Sequence, residues 1–535
     1  MTYVTAMPQL MAAAAQDVAG IQAAIGAANA AAADTITGVA AAAADEVSAA
    51  AAALFRSYAG EYQAVVAQAT AFHDAFTGAL AAAGSAYATT EAANAAKVST
   101  ALSAMAARAA DAKDVTLAMG GSGNPTPPRT YVDAVVSKYV TPNFPAFTVA
   151  NARALFTPEG FYPLTGIKDL TPDVSVARGV TILTDAIREQ LDAGNHVAVL
   201  GFSQSSVISS LVMQGLDPSG TPSSLPISFV LLGDPMNPNG GILERFAGLT
   251  FPSLGQTFYG ATPANSFPTK IYTIEYDGFA DFPRYPINLL ADLNAMAGIY
   301  YVHGTYADLT PEQIATAIPL HTEGPTLTTY YMIPNPHLPL VQPLRAVPFV
   351  GNPLADLIEP DLRVLVNIGF GDPAFGYSTS AANVPTPFGI FPPLDAGAVL
   401  GGLAAGTQQG ITAFVNDISA TTFPPVPDLS SITFPPPPPP VGLVDTLAKV
   451  ASTAYSTLLP TADIATTLVI SLPVYDLNLF VEALSQVASG DPLGLISAIA
   501  NPIAANTGLL AFGAGIEVFV LVNAAQSIID QLTSL

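Results

Sequence analysis

Hydrophobic and polar positions follow two different patterns along the chain, and the change falls near residue 114. Before it, alanine-rich sequence places apolar residues three, four or seven positions apart, which predicts two helices broken around Asp34 to Gly38. The second helix carries a stripe of large apolar side chains: Leu54, Phe55, Tyr58, Tyr62, Val65, Val66, Phe72 and Phe76. Because two alanine-faced helices bury little area alone, we expect this stripe to need a partner, either a helical protein or the rest of the chain.

After residue 114 the pattern becomes short apolar runs that each end in glycine, asparagine and proline. "DVTLAMGGSGNP", "FVLLGDPMNPNGG" and "KIYTIEYDGFADFP" are examples, and helical stretches such as "ARGVTILTDAIREQLDAG" lie between the runs. Buried strands that alternate with helices predict an α/β fold, with a mostly parallel sheet flanked by helices. Functional residues are then expected at the carboxyl ends of the strands.

Shifts in composition divide the chain into five predicted segments. They are a helical hairpin (1–95), a linker (96–113), the α/β domain (114–385), a proline- and glycine-rich segment (386–440) and an accessory apolar helical region (441–535). Within the fourth segment, "FPPPPPP" is typical of a polyproline II spacer. We expect the last segment to pack on the body of the protein or on a hydrophobic surface.

Composition excludes several classes of function. The 535 residues are 50% apolar and 10% charged with a formal net charge of −24, which argues against binding to nucleic acid or to anionic membranes through basic patches. The absence of cysteine excludes disulfides, thiolate metal sites and a cysteine nucleophile. We expect neither a metal nor a cofactor.

Membrane insertion and general secretion are weakly supported by the sequence. The start, "MTYVTAMPQLMAAAA", lacks the basic and compact apolar regions of a classical signal peptide. No stretch is an uninterrupted apolar span of membrane length, and the nearest, "NTGLLAFGAGIEVFVLVNAA", carries Glu517 near its centre.

"HVAVLGFSQSS" carries the main candidate for chemistry. A strand runs into Gly201, one further residue, Ser203, one further residue and the small Ser205, and a helical run follows. This order predicts a nucleophile elbow, a strained strand-to-helix turn that exposes the serine hydroxyl. The usual last small residue is glycine, so Ser205 is a departure; the alternative is that Ser203 only caps the helix.

A nucleophilic serine needs a base, and the order Ser, Asp, His along the chain favours His303 among five histidines. In "YYVHGTY" it ends a short apolar run that we interpret as a late strand. The others fit less well: His73 lies in the hairpin, His196 starts the serine's own strand, and His321 and His337 lie in proline-flanked loops.

"IYTIEYDGFADFP" offers two carboxylates that could orient the histidine. The order glycine, two residues, aspartate and then Phe-Pro is typical of the loop that carries the acid after a late strand, and it favours Asp281. Asp277 is the alternative. Asp234, in "LLGDPMNPNGG", is a weaker third choice that more plausibly forms a turn.

The oxyanion formed during acyl transfer needs preorganised N–H donors. We expect the Gln204 amide and a donor from "MGGSGNP", where Gly120, Gly121 and Ser122 permit a close backbone approach. That loop lacks the Lys-Ser/Thr ending of a P-loop and the spacing of a dinucleotide fingerprint, so nucleotide binding is disfavoured.

These stretches carry a family resemblance. The first 95 or so residues resemble the PE domain of mycobacterial PE/PPE proteins in "MTYVTAMPQLMAAAA", "AAAADEVSAA" and "FHDAFTGALAAAGSAYATTEAANA", although the diagnostic Pro-Glu pair is Pro8–Gln9 here. Residues 114–385 resemble the PE-PPE domain, a cutinase-like serine α/β-hydrolase module, in "GFSQS", "GDPMNPNGG", "YDGFADFP", "YVHGTY" and "YYMIPNPHLPLVQPLR".

The resemblance implies a function and a location. It implies carboxylic ester hydrolysis at the cell wall or outer cell surface, with acyl transfer to envelope glycolipids in some relatives. It also implies pairing of the hairpin with a PPE-family protein and export by the type VII secretion machinery, which would read Tyr87 and Glu91 in "YATTE". A surface interaction protein without catalytic activity is the rival interpretation.

Overall fold

A computed structural model describes residues 8–110, 113–420 and 440–533 of the chain. The chain separates into two compact units, Met1–Asp111 and Ala112–Leu535. The pattern of apolar residues in the sequence changes near residue 114, close to this boundary.

The first unit is a pair of long helices, α1 (Pro8–Thr37) and α2 (Glu46–Ala110). They are antiparallel: Gln22 on α1 donates to the Asp74 carboxylate on α2 at 2.7 Å, whereas Asn29, further along α1, accepts from Tyr62 at 2.6 Å. At the start of α1, Pro8 lies beside Gly84 of α2, where an added Cβ would come within 3.3 Å of the Pro8 carbonyl oxygen.

Within the hairpin, α1 leaves most of the large apolar side chains of α2 uncovered. Seven residues of the predicted stripe are at least 47% exposed, with Phe72 at 69%, and Val66 is half-buried. The boundary of the hairpin differs from the prediction, however. Residues 96–110, predicted as linker, continue α2 without interruption, because nothing in this alanine-rich stretch breaks a helix.

The second unit is built on a seven-stranded sheet of order β2-β1-β3-β4-β7-β9-β8. All neighbours are parallel except the β8–β9 pair. The strands of this sheet are β1 (Asp114–Ala118), β2 (Ala152–Ala154), β3 (His196–Phe202), β4 (Ile227–Leu232), β7 (Thr269–Ile274), β8 (Ile318–Pro319) and β9 (Thr328–Ile333). A separate hairpin pairs β5 (Thr250–Phe251) with β6 (Gln256–Thr257).

Both faces of the sheet are covered, which makes the central strands continuous hydrophobic runs. In β3, Val197 and Val199 point into one apolar cluster, while Ala198 and Leu200 point into the other. The chain passes from β1 to β2 on one side and returns to β3 on the other, so a topological switch point lies between β1 and β3. Ligand sites of open α/β sheets form at the carboxyl side of such a point.

The described helices of the second unit flank the sheet and extend beyond it. They are α3 (Arg129–Val135), α4 (Pro172–Asp192), α5 (Gln204–Leu216), α6 (Ile242–Arg245), α7 (Leu289–Tyr301), α8 (Pro311–Ala315), α9 (Gln342–Arg345), α10 (Gly351–Asn367), α11 (Ala396–Ala420), α12 (Pro440–Ser456), α13 (Leu458–Ala488) and α14 (Gly494–Thr533). A π-helical turn (Val136–Val140) and short 3₁₀ turns, including His303–Thr305, complete the described helical structure.

The C-terminal segments differ in part from the sequence prediction. The proline- and glycine-rich segment contains the 25-residue α11, in which Gly406 and Gly410 lie close against the backbone of α10. The proposed polyproline spacer at 434–440 lies almost wholly outside the described residues. The accessory region forms α12, α13 and α14, and Leu472, Leu509 and other apolar side chains of α13 and α14 join the main core cluster.

Three of the described helices have the length and apolar composition needed to cross a membrane. They are Pro8–Thr37, the stretch Asp445–Ala488 and Gly494–Thr533, with mean hydropathies of 1.2, 1.6 and 1.8. The sequence predicts no uninterrupted apolar span, yet these helices have the length and composition to span a membrane. Glu517, the residue on which that prediction rested, accepts a hydrogen bond from Thr461 on α13 at 2.7 Å and does not interrupt α14.

Candidate active site

Ser203 lies on a sharp turn between β3 and α5. Its backbone has φ 56° and ψ −117°, a strained combination for a residue with a side chain, as expected of a nucleophile elbow. The turn requires glycine at position 201, because an added Cβ would lie 2.7 Å from the Ser205 carbonyl oxygen. Ser205 replaces the usual glycine without strain on the turn: its hydroxyl accepts from the Phe202 amide at 2.8 Å and fills the space by bonding to the turn itself.

His303 follows the end of α7, and its side chain contacts Ser203. Its Nε2 lies 2.7 Å from the Ser203 hydroxyl oxygen, and both residues are 7% exposed. The predicted late strand before His303 is wrong: the apolar run belongs to the end of α7, and His303 opens a 3₁₀ turn directly after it. Phe202 stacks on the imidazole and Phe279 meets it edge-on, which fixes the plane of the ring.

The carboxylate beside His303 is Asp277, so the choice of Asp281 from the sequence is corrected. The Asp277 oxygens lie 2.8 and 2.9 Å from His303 Nδ1. Asp281 sits four residues further along a tight turn, where its amide donates to the Asp277 carbonyl and its carboxyl accepts from the Tyr276 amide at 3.0 Å. Burial raises the pKa of Asp281 well above its ordinary value. Asp281 therefore forms hydrogen bonds within its own loop rather than with the His303 imidazole.

Asp277 is surrounded by hydrogen-bond donors. The Tyr306 hydroxyl donates to it at 2.7 Å and the Phe279 amide at 3.1 Å, in addition to His303. Burial first, and the nearby Asp277 charge second, raise the pKa of Tyr306 well above its ordinary value, so its hydroxyl keeps the proton that it donates. These three donors hold the Asp277 side chain in one orientation.

Gly233, at the end of β4, leaves the space in which these groups meet. It has φ +53°, and an added Cβ would lie 2.9 Å from the Tyr306 ring, 3.1 Å from an Asp277 oxygen and 3.1 Å from His303 Cε1. Any other residue there would push apart the histidine and its carboxylate.

The predicted oxyanion loop lies against the elbow. A Cβ at Gly121 would come within 2.7 Å of the Phe202 ring and 3.1 Å of Ser203 Cβ, so only glycine permits this approach. Within the described residues, the amides of Gln204 and Ser122 donate to no protein acceptor. Gly120 serves the loop itself, since a Cβ there would collide with the Asn124 carbonyl.

The Gln204 side chain ties the elbow to its surroundings. It donates to the Gly160 carbonyl at 2.8 Å and to the Ser122 hydroxyl at 3.3 Å, and it accepts from Ser175 at 2.7 Å. These bonds fix the loop around Gly160 and the Ser122 end of the glycine loop relative to Ser203. Ser122, Ser203 and Gln204 all line one cleft.

That cleft lies next to Ser203 and is small, with a volume of about 40 Å³. No lysine, arginine, aspartate or glutamate is among the described residues that line it. The polar ones are Ser122, Ser203, Gln204, Gln256 and Tyr259, and the apolar ones are Phe161, Pro172, Val176, Val207, Pro235, Ile242, Leu243, Phe258, Phe279 and Phe512. Arg284, the nearest basic residue in sequence to the acid loop, instead donates to Ser380 at 2.7 Å.

The remaining sequence candidates lie in structural roles. Asp234 accepts from the Met236 amide and from Thr262, as a turn former does, and burial raises its pKa to about 6. His196 pairs with Asp114 at 2.9 Å at the opposite end of β3 from Ser203.

One cluster in the described part of the chain has the residue types of a metal site. Ligand atoms of His337, Asp356 and Glu359 lie within 4.8 Å of one another. Arg345 already pairs with both carboxylates, and Arg363 donates to Glu359 at 2.8 Å. The cluster is an ion-pair network, and we assign no metal to it.

The sequence analysis missed Tyr306 and Gly233. Tyr306 follows His303 by one turn, and Gly233 ends an apolar strand run, so both carried a local signal. Neither signal showed that Tyr306 and Gly233 would lie beside the Asp277 carboxylate.

The mostly parallel sheet flanked by helices is an α/β-hydrolase fold, and Ser203, His303 and Asp277 form a hydrogen-bonded series at the carboxyl ends of its strands. Comparison with known sequences identifies the family. Residues 4–94 match the PE family and residues 148–371 match the PE-PPE domain. The chain belongs to the PE family and carries a PE-PPE domain.

Several relatives come from Mycobacterium tuberculosis. Esterase PE16 is 45% identical over 429 residues, covering 78% of this chain and 79% of the relative. The PPE family protein PPE28 is 49% identical over 454 residues, covering 81% and 69%. The SL1278 acyltransferase Chp1 is 32% identical over 227 residues, covering 41% and 54%. Among solved structures, a cutinase-like protein from Cryptococcus sp. aligns with 16% identity and a TM-score of 0.21, covering 32% of this chain and 79% of that one.

Proposed function

We propose that this protein is a serine carboxylesterase that hydrolyses short- to medium-chain acyl esters. The observation that carries the proposal is the continuous contact from Ser203 Oγ to His303 Nε2 at 2.7 Å and from His303 Nδ1 to Asp277 at 2.8 Å. The PE-PPE domain and the relative named Esterase PE16 support an esterase-like function.

The first half-reaction transfers the acyl group to the enzyme. Ser203 Oγ attacks the ester carbonyl carbon while His303 Nε2 takes the hydroxyl proton. The Asp277 carboxylate can only accept, so it selects the tautomer with the proton on Nδ1 and stabilises the imidazolium that forms. Collapse of the tetrahedral intermediate breaks the ester C–O bond, and His303 returns the proton to the leaving alcohol. Water then repeats the sequence on the Ser203 ester and releases the carboxylic acid.

The negative charge of the tetrahedral intermediate falls on the former carbonyl oxygen. The unengaged amides of Gln204 and Ser122 border the same cleft and are the donors we assign to that oxygen, with Gly121 allowing the backbone to approach. No donor has to move, because Gln204 and Ser122 are already tied together through their side chains.

The character of the cleft supports an uncharged acyl ester as the substrate class. Apolar side chains predominate along it and no charged side chain lines it among the described residues. A phosphoester or a substrate carboxylate would enter such a cleft without a partner for its charge, which is costly. An acyl chain instead gains free energy for each methylene buried there.

A fluorophosphonate probe tests the nucleophile directly. The full-length protein should be labelled at Ser203, and Ser203→Ala should lose both labelling and cleavage of p-nitrophenyl butyrate while its thermal unfolding stays close to that of the wild type. The control is Ser205→Ala, which alters a neighbouring buried hydroxyl that does not contact His303. Robust esterase activity in Ser203→Ala would refute the assignment.

Acyl transfer to a sugar hydroxyl is the second candidate function. The similarity to the acyltransferase Chp1 favours it, since the same acyl-enzyme can be attacked by an alcohol in place of water. Incubation of the acyl-enzyme in water with and without a soluble disaccharide separates the two: a sugar ester formed in excess of the free acid would identify a transferase.

We also propose that the protein is exported by a type VII system, to the cell wall or outer surface, with a PPE-family protein bound to the hairpin. Tyr87 and Glu91 are one helical turn apart on α2 and both are exposed, so one receptor could read them together. The match to the PE family over residues 4–94 and the uncovered apolar stripe support this proposal.

A further inference from the structure

The cleft beside Ser203 has a wall that comes from outside the α/β domain. Phe512 lies on α14, well beyond residue 371 at which the match to the PE-PPE domain ends, and it lines the cleft together with Val207 and Phe279. Its side chain is 5% exposed. A residue of the C-terminal region therefore faces the space that the substrate would enter.

Close packing holds α14 in this position. An added Cβ at Gly508, one turn before Phe512, would lie 2.8 Å from Pro286 and 3.2 Å from the Phe246 ring. One turn after it, Ile516 is buried in the main core cluster, and a Cβ at Gly515 would meet the sulfur of Met296 on α7 at 2.2 Å. Glycines at these contacts bring the helix close enough for Phe512 to enter the cleft.

The neighbouring helix α13 bonds to a residue adjacent in sequence to the cleft lining. Asp463 on α13 accepts a hydrogen bond from the Tyr162 hydroxyl at 2.5 Å. Tyr162 directly follows Phe161, which lines the cleft. Thus α14 lines the cleft through Phe512, and α13 anchors the residue next to Phe161.

We propose that α13 and α14 are part of the substrate site and that Phe512 limits the length of the acyl chain that the cleft accepts. This inference rests on the proposed esterase function. The aromatic ring occupies apolar space that would otherwise be continuous with the acyl-binding surface. Its removal would let further methylenes be buried, and each additional buried methylene is equivalent to about a fourfold gain in kcat/KM.

The test is an acyl chain-length profile of the full-length protein with p-nitrophenyl esters from acetate to palmitate. Phe512→Ala should raise the ratio of kcat/KM for the decanoate to that for the butyrate by about tenfold or more, as two or more methylenes gain burial. Phe512→Leu, which removes less volume, should give a smaller increase. Phe519→Ala is the matched control, because Phe519 lies on the same helix and stacks on Tyr300 away from the cleft; it should leave the ratio within twofold of the wild type.

Labelling of Ser203 by a small fluorophosphonate shows in each variant that the nucleophile is intact. An unchanged ratio in labelled Phe512→Ala and Phe512→Leu would overturn the role of Phe512. If Phe512→Ala does not fold, the profile of Phe512→Leu decides. A wild-type protein that is neither labelled nor active would overturn the proposed function, and the inference would fall with it.

Discussion

The substitution Asp277→Asn tests whether the Asp277 carboxylate orients the His303 imidazole. The Asp277 oxygens accept from His303 Nδ1, from the Tyr306 hydroxyl and from the Phe279 amide. An asparagine keeps the shape of the side chain but brings an NH₂ group into this ring of donors. If its oxygen faces Tyr306, its NH₂ faces His303 and forces Nδ1 to accept. The imidazole proton then moves to Nε2, which can no longer take a proton from Ser203.

The expected loss follows from that change of tautomer. Such a substitution lowers kcat by about 10⁴ in serine proteases, equivalent to about 5 kcal/mol of transition-state stabilisation. We expect a loss of at least 10³ in kcat for p-nitrophenyl butyrate, with little change in KM because the cleft walls are untouched. Purified Asp277→Asn and the wild type are compared by initial rates at saturating ester, and unfolding temperatures confirm that both proteins are folded.

Asp281→Asn is the control, and it is nearly isosteric. Because burial raises the pKa of Asp281 well above its ordinary value, an amide resembles the protonated acid at that position, and its oxygen can still accept from the Tyr276 amide. We expect a loss of less than tenfold. If Asp281→Asn lost more activity than Asp277→Asn, the assignment of the orienting carboxylate to Asp277 would be refuted.

Two further outcomes are expected. Tyr306→Phe removes one hydrogen bond from the Tyr306 hydroxyl to the Asp277 carboxylate, which is worth about 1.5–3 kcal/mol. The kcat should therefore fall roughly 10- to 100-fold while the preference for acyl chain length is retained. A folded variant with the kcat of the wild type would contradict this role. Glu159 is buried and accepts a hydrogen bond from the Thr157 hydroxyl at 2.6 Å. Glu159→Gln should stabilise the fold at alkaline pH: burial raises the pKa of Glu159 from 4.5 to about 8, so the wild type loses stability as the pH rises between these values, by at most about 5 kcal/mol. Calorimetric melting at pH 5 and pH 8.5 should show a gain that grows with pH, and an equal gain at both would contradict it.

The fold and the strained turn at Ser203 could be predicted from sequence because local signals determine them. The strand, Gly201, Ser203 and the following helix form one contiguous pattern, and steric limits on the turn leave few alternatives. The acid could not be assigned, because Asp277 and Asp281 both follow the same strand and differ only in where a five-residue turn directs them. That direction depends on Gly233 and Tyr306, which come from other parts of the chain.

The C-terminal region shows the same limit over a longer distance. Its apolar helices could be predicted from composition, yet the contact of Phe512 with the cleft depends on tertiary packing around Gly508 and Gly515. Likewise, the helix that crosses the predicted linker was missed because a domain boundary was assumed where the family resemblance ends. Secondary structure continues there regardless of homology.

The length of α2 has a consequence for local stability. Its 65 residues form a rod about 98 Å long, but the start of α1 lies beside Gly84, and every side chain from residue 85 to residue 100 is exposed. Among the described residues of the hairpin, no buried side chain anchors this stretch, and helices without tertiary packing are only marginally stable. Its amides should therefore exchange with solvent long before those of the sheet, and a protease should find its first substrate there. Tyr87 and Glu91 lie within this stretch, where the chain can change conformation at little energetic cost.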